Sequence, residues 1–161
     1  MTEKQFRRLS KTARNAPELP VLDENTTAYV HPLAKIKLVI PGNFESLRGN
    51  PIPYVRMTQR SKFVSRQARR YLMWKKYVQA AALTQARPKF LNHLVDGAKK
   101  TWVDCMIYFA DGRHGDPDNI RKGILDALFE DDRHVAGNVD FDYDAESPRV
   151  EVVIWRPENK A

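Results

Sequence analysis

Residues Trp102 to Ala110 alternate, with Val103, Cys105, Ile107 and Phe109 on one side, and soon afterwards Asp116-Pro117 opens a run in which Ile120, Ile124 and Ala127 recur at helical spacing. A period of two marks a strand and a period near 3.6 marks a helix, so the chain must turn from one into the other between these runs. Asp116 suits the cap of that helix and Pro117 its first position, where the missing N–H costs nothing. The helix then aims its positive end at the turn, where carboxylates or a phosphate would be favoured. Asp118, Lys122 and Asp126 follow at intervals of four and fall on the face opposite the apolar stripe. The stripe anchors the helix, which leaves the polar residues of the turn free for chemistry.

The other elements read around this unit. Ile36, Leu38 and Ile40 alternate with Lys35, Lys37 and Val39 before Pro41-Gly42, which predicts a strand and its end. Ser65 is a plausible cap for a helix running to about Thr84, before Pro88. Its buried stripe is Tyr71, Trp74, Val78 and Ala81, with Arg66, Arg69, Arg70, Lys75 and Lys76 mostly outward. Val139, Phe141 and Tyr143, then a turn at Ala145 to Pro148, then Val150, Val152 and Ile154, read as a hairpin. Asp140, Asp142, Asp144 and Glu151 imitate a calcium loop, but Ala145 stands where glycine is required and the flanks are strands, so that reading is rejected. The predicted order β-α-β-α-β-β gives an α+β fold, a small mixed sheet with two helices packed on it.

A chain of 161 residues with 42% hydrophobic content suits one domain with a real core, placed at residues 33–161. Residues 1–32 form a basic N-terminal extension carrying Lys4, Arg7, Arg8, Lys11 and Arg14, either a flexible arm or a short packed helix. It lacks the apolar run of a signal peptide, and the sequence holds no membrane-length apolar segment, so a cytoplasmic protein without a membrane partner is expected. The single cysteine, Cys105, excludes a disulfide within the chain and reads as a buried thiol. His31, His93, His114 and His134 are too scattered for a zinc site, although His114 and His134 flank the acidic turn.

Lys and Arg total 27 against 20 Asp and Glu, a net charge of +7, and a basic surface attracts polyanions such as nucleic acid. The stretch Arg48 to Ser65 interleaves Arg56, Arg60 and Lys62 with Tyr54 and Phe63, a mixture suited to phosphate contact and base stacking; a solvated loop with aromatics packed inward explains it equally. Arg56 and Arg60 are the first candidates for DNA contact, joined by Lys62, Arg69 and Arg113. Against this basic background the acids at 115–132 stand out. Carboxylates are the hard ligands that Mg²⁺ or Mn²⁺ prefers, and Mg²⁺ usually takes one or two of them, leaving room for water and a phosphate. Acids in a basic chain therefore suit metal-assisted phosphodiester hydrolysis, while the same Asp-Pro-Asp-Asn turn also serves ordinary capping.

The run from Asp116 through Asn119, Lys122, Asp126 and Leu128, followed by Asp131-Asp132 and Val135, resembles the pattern D-x-D-N-x-x-K-x-x-x-D-x-L and D-D-x-x-V of the RusA-like crossover junction (Holliday junction) endodeoxyribonucleases. Ile36 to Gly42 and Asn50 to Tyr77 resemble the first strand, basic loop and first helix of phage-type members. The resemblance implies a homodimer that resolves four-way DNA junctions by paired phosphodiester hydrolysis in recombination and repair. It implies that Asp116, Asp118 and Asp132 bind Mg²⁺ (or Mn²⁺), with no small-molecule cofactor, and that Lys122 assists at the scissile phosphate. Asn119 and Asp126 match supporting positions. Only Phe129 and Glu130 separate Leu128 from Asp131, a shorter segment than in many members, so either Asp131 or Asp132 is the one that meets the metal. Two rival readings stand beside this one: a nuclease for other branched or flap DNA, and a non-catalytic DNA-binding protein.

Overall fold

The computed structural model describes residues 35–42, 49–60 and 64–156. The basic extension at 1–32, Lys62 and Phe63 lie outside them. The first strand, β1 (Lys35–Pro41), is followed by helix α1 (Arg66–Gln85), with Ser65 as its cap accepting from the backbone of Ala68. Both agree with the sequence pattern. A second helix, α2 (Pro88–Leu94), was not anticipated. Pro88 reads as a stop for α1, and it is also the first residue of α2, the one helical position where proline is favoured.

Strand β2 (Thr101–Phe109) leads through the expected turn into helix α3 (Pro117–Leu128), and then come β3 (Val135–Ala136), β4 (Val139–Tyr143) and β5 (Arg149–Trp155). The sheet is mixed. Its order is β1, β5, β2, with β3 and β4 following one another along the far edge of β2. β5 is antiparallel to both β1 and β2, whereas β3 and β4 run parallel to β2. The β4–β5 hairpin is therefore corrected: β2 lies between the two strands. Alternation reports which side chains share a face, not which strand is the neighbour, and the parallel crossover through α3 takes the edge that a hairpin would have used.

The face under the helices is the core. Ile36, Leu38, Ile40, Val103, Ile107, Phe109, Val150, Val152 and Ile154 are essentially inaccessible there, packed with Tyr71, Trp74 and Val78 of α1 and Ile120 and Ile124 of α3. Cys105 belongs to this layer, and burial pushes its thiol up to about 12, so it is an inert core group. The two long helices are joined by Asp126, whose Oδ2 accepts from the Tyr71 hydroxyl at 2.6 Å and pairs with Lys75 Nζ at 3.0 Å. Gln79 adds a bond to the Ala127 carbonyl at 2.9 Å. On the opposite face Trp102 and Trp155 stack, with centroids 5.4 Å apart, and Trp155 donates to Asp104. Arg149 there lies over Tyr108 and pairs with Asp144 and Glu151, while Lys37 also pairs with Glu151.

Between β3 and β4 the parallel ladder opens at Gly137, whose φ is +130°. Arg121 of α3 enters at this level. Its Nε and Nη2 donate to the Val103 carbonyl, both at 3.2 Å, and Nη2 also reaches the Ala136 carbonyl at 3.0 Å. Asn138 completes the join, donating its N–H to Asp104 and accepting from the N–H of Cys105. A side chain at Gly137 would bring Cβ to 2.1 Å from the Val103 carbonyl oxygen, in a backbone region that L residues rarely adopt. Gly137→Ala should therefore cost about 2 kcal/mol or more of unfolding free energy through strain and steric overlap. Urea unfolding of the variant within about 0.5 kcal/mol of the parent would contradict this account of the opening.

Candidate active site

The carboxyl ends of the parallel strands β2 and β4 lie beside the N-terminus of α3, the position at which open α/β sheets commonly bind ligands. Asn50 holds the turn between β2 and α3. Its Oδ1 accepts from Ala110 N–H at 2.6 Å, and its Nδ2 donates to Asp111 Oδ1 at 3.1 Å and to the Arg113 carbonyl at 3.0 Å. Asp111 also accepts from Arg113 N–H at 2.9 Å, and this bond, helped by Asn50, holds its carboxyl below the usual range. Gly115 packs on Pro53, where an added Cβ would sit 2.8 Å from the proline ring. The loop from Asn50 to Met57 is thereby held against the turn.

Asp116 is the helix cap, with Oδ2 accepting from Asn119 N–H at 3.2 Å, as its position before Pro117 predicts. Asp118 follows in the first turn, exposed, and Asn119 accepts from Tyr54 N–H at 2.9 Å through its carbonyl. Lys122 is exposed one turn further on. Its Nζ sits 4.4 Å from the centroid of the Tyr54 ring, and among the described residues it makes no ion pair with Asp118 or Asp126. Lys122 therefore rests on an aromatic face, a contact worth about 0.5 to 1 kcal/mol at exposed sites. Tyr54 in turn meets Tyr71 edge-on, so its ring is packed between the helix lysine and the core.

Three of the expected site positions stand elsewhere. Asp126 is the link between α1 and α3 described above, half-buried against α1. Asp131 is chelated by Arg133, with contacts of 2.6 to 3.0 Å, and those hydrogen bonds lower its carboxyl to about 2. Asp132 is exposed in the turn before β3, where its carbonyl accepts from Val135 and the next residues pair with Thr101 at the start of β2. α3 has 12 residues, so it separates Asp116 from the Asp131-Asp132 turn by about 18 Å of helix. Among the described residues, no three His, Cys, Asp or Glu side chains stand together as a metal site.

Arg56, Arg60, Arg69 and Arg113 are exposed, and Lys62 lies outside the described residues. Arg113 and Arg70 line a cavity of about 200 Å³ together with Asn50, Pro53, His114 and Gly115. A larger cavity of about 890 Å³, lined by Lys75, Leu83, Leu91, Asp126 and Phe129, lies at the other end of α3 and contains none of Asp116, Asp118 or Lys122.

His114 is the residue whose place the sequence did not disclose. Its ring stacks flat on Phe109 at 3.6 Å, with Nδ1 2.8 Å from the Gly115 carbonyl and Nε2 3.0 Å from the Tyr143 hydroxyl. A carbonyl can only accept, so Nδ1 carries a proton. Arg70, Phe141 and Tyr143 were likewise legible only as members of a helix face and a strand. Compared with known proteins, the chain matches no protein-family model and no curated protein.

The three bonds of Asn50 generate a prediction. Asn50→Ala leaves Ala110 N–H and the Arg113 carbonyl without that partner, and it should cost about 1 to 3 kcal/mol in urea unfolding. Recovery of full stability in Asn50→Ala would show that the turn stands without this brace.

Proposed function

We propose that the protein is a metal-dependent endodeoxyribonuclease acting in the cytoplasm on branched DNA, with the four-way junction as its preferred substrate. One observation carries the reading: Asp116, Asp118 and Lys122 occupy the opening turns of α3, at the carboxyl ends of two parallel strands and beside an arginine-lined cavity. The match of the same residues to the RusA-like pattern supports it. Two carboxylates fit Mg²⁺, which usually keeps several waters and takes one or two protein acids. When bound, the ion would polarise the phosphodiester and activate water.

The protein's own residues supply the remainder. The positive end of the α3 dipole favours a phosphate there, and Arg56, Arg60, Arg69 and Arg113 supply phosphate contacts along the duplex arms. Lys122, held over Tyr54, offsets charge that builds on the phosphate. The distance along α3 gives Asp132 a role only between chains: a two-fold dimer could bring Asp132 of the partner subunit to Asp116 and Asp118. Such a dimer also suits paired cuts in a junction with two equivalent strands.

If the metal site is shared in this way, Asp116→Asn, Asp118→Asn and Asp132→Asn should each abolish cleavage and leave junction binding largely intact. Mixing Asp118→Asn with Asp132→Asn should then restore about a quarter of the parent's active sites, because random pairing makes half the dimers mixed and each of these has one intact site. No recovery on mixing, with exchange of subunits demonstrated, would rule out sharing. Chelation by EDTA should stop cleavage and not binding, and a panel of junction, flap and duplex separates the preferred substrate from other branched DNA. Absence of cleavage with Mg²⁺ and with Mn²⁺ would favour a non-catalytic DNA-binding protein.

For Lys122 the size of the effect is decisive. Lys122→Ala should slow single-turnover cleavage of a bound junction roughly a hundredfold or more, the loss of about 2.7 to 4 kcal/mol associated with one transition-state donor. Its unfolding free energy should change by no more than about 1 kcal/mol, the worth of the contact with Tyr54. A rate within about threefold of the parent reduces Lys122 to a packing residue.

A further inference from the structure

The edge strand β4 turns two aromatic rings outward beside the acidic turn. Phe141 is 44% exposed and Tyr143 is 53% exposed, far more than core residues of the same strand register. Both rings lie on the face of Ile107 and Phe109, yet both remain open to solvent. They are braced from behind. His114 lies flat on Phe109, and its ring centroid is 5.8 Å from those of both Phe141 and Tyr143, which themselves meet edge-on at 6.1 Å. The hydrogen bond between the Tyr143 hydroxyl and His114 holds the outer ring in place. His114 also lines the cavity shared with Arg113 and Arg70, so a rigid aromatic surface and a cationic pocket share one residue.

We propose that Phe141 and Tyr143 form a stacking platform for an unpaired nucleobase, with the backbone phosphate of that strand held at the pocket lined by Arg113 and Arg70. The inference deepens the reading of the site as a branched-DNA nuclease and rests on it, because the platform takes the nucleotide that a branch point leaves unstacked. Area and charge choose this occupant. Two half-exposed aromatic rings offer roughly 200 Å² of apolar surface, about a quarter of what each partner buries in a stable protein interface. A patch of that size suits a ring, not a subunit. Aromatic faces beside arginines are also what non-sequence-specific single-strand binding uses: each stacked base contributes affinity whatever its identity, while the cations follow the phosphates. The dispersal of Asp140 and Asp142 to the opposite face of β4 keeps their charge away from the rings.

The test measures binding in EDTA, so that it does not depend on cleavage. The probes are a four-way junction with 2-aminopurine at the branch point, a single-stranded oligonucleotide with the same base, and a fully paired duplex. The parent should quench 2-aminopurine in the first two. Phe141→Ala and Tyr143→Ala should lose the quenching and weaken single-strand binding roughly 5- to 100-fold, with duplex affinity and the salt slope unchanged, since no phosphate contact is removed. Tyr143→Phe keeps the ring and should retain the quenching; Arg113→Gln should instead flatten the salt slope by about one unit. Equal losses on duplex and single strand would overturn the platform, as would a dimer that Phe141→Ala converts to monomers, which would assign the rings to a subunit contact. Cleavage by the parent without any quenching sinks the platform and spares the nuclease. Quenching without cleavage in any metal does the reverse.

Discussion

The guanidinium of Arg121 is the tie on which the placement of the site depends. α3 lies across a sheet whose parallel edge is interrupted, and two carbonyls on either side of the interruption, of Val103 and Ala136, accept from this one side chain. Carbonyls left unmatched in a partly buried ladder cost about 1 to 3 kcal/mol each, so the arginine and the opening stabilise one another. Gly137 makes the approach possible by presenting no Cβ to the Val103 carbonyl. Since Arg121 immediately precedes Lys122, this tie also fixes the rotation of α3, and with it the direction in which Asp118 and Lys122 leave the helix.

A second constraint acts from the other side. The loop from Asn50 to Met57 lies along the opening of α3, bonded through Tyr54 N–H to Asn119 and through Asn50 to the turn. Tyr54 then serves two neighbours, meeting Tyr71 of the core edge-on and carrying Lys122 on its face. The lysine is thus oriented by an uncharged surface, which leaves its three N–H donors unpaired with the nearby acids. A lysine locked in a pair with Asp118 would have offset the carboxylate's charge directly; the observed arrangement keeps the acid and the ammonium unpaired within the same two helical turns.

Much of this was legible in the residues. The periodicities located β1, β2 and both long helices closely, and Asp116-Pro117 marked the start of α3 because cap and first-turn preferences are local properties. What failed was non-local. The pairing of β4 with β2 depends on a crossover, and the alternating residues of β4 and β5 describe their faces equally well in a hairpin or apart. α2 was missed because Pro88 has two readings, stop and start. Asp126 looked like a member of the polar face, yet its partners Tyr71 and Lys75 are more than fifty residues away in the chain. His114 flanked the acidic turn in sequence, but its stack on Phe109 and bond to Tyr143 needed β2 and β4 to be neighbours.

The same non-local geometry decides which of the acids can meet. A linear pattern of acids at 116, 118 and 132 suggests one cluster, because sequence carries no sign of direction. In space α3 runs back along β2, so residues before it and after it are carried to opposite ends of the sheet. Helix rise is fixed at about 1.5 Å per residue and cannot be compressed to bring the ends together. Asp116 and Asp118 therefore share one end of α3 within a single chain, whereas any arrangement that also used Asp132 demands a second chain. The distinction follows from the length of one helix, and it turns the oligomeric state of the protein into a question about its chemistry.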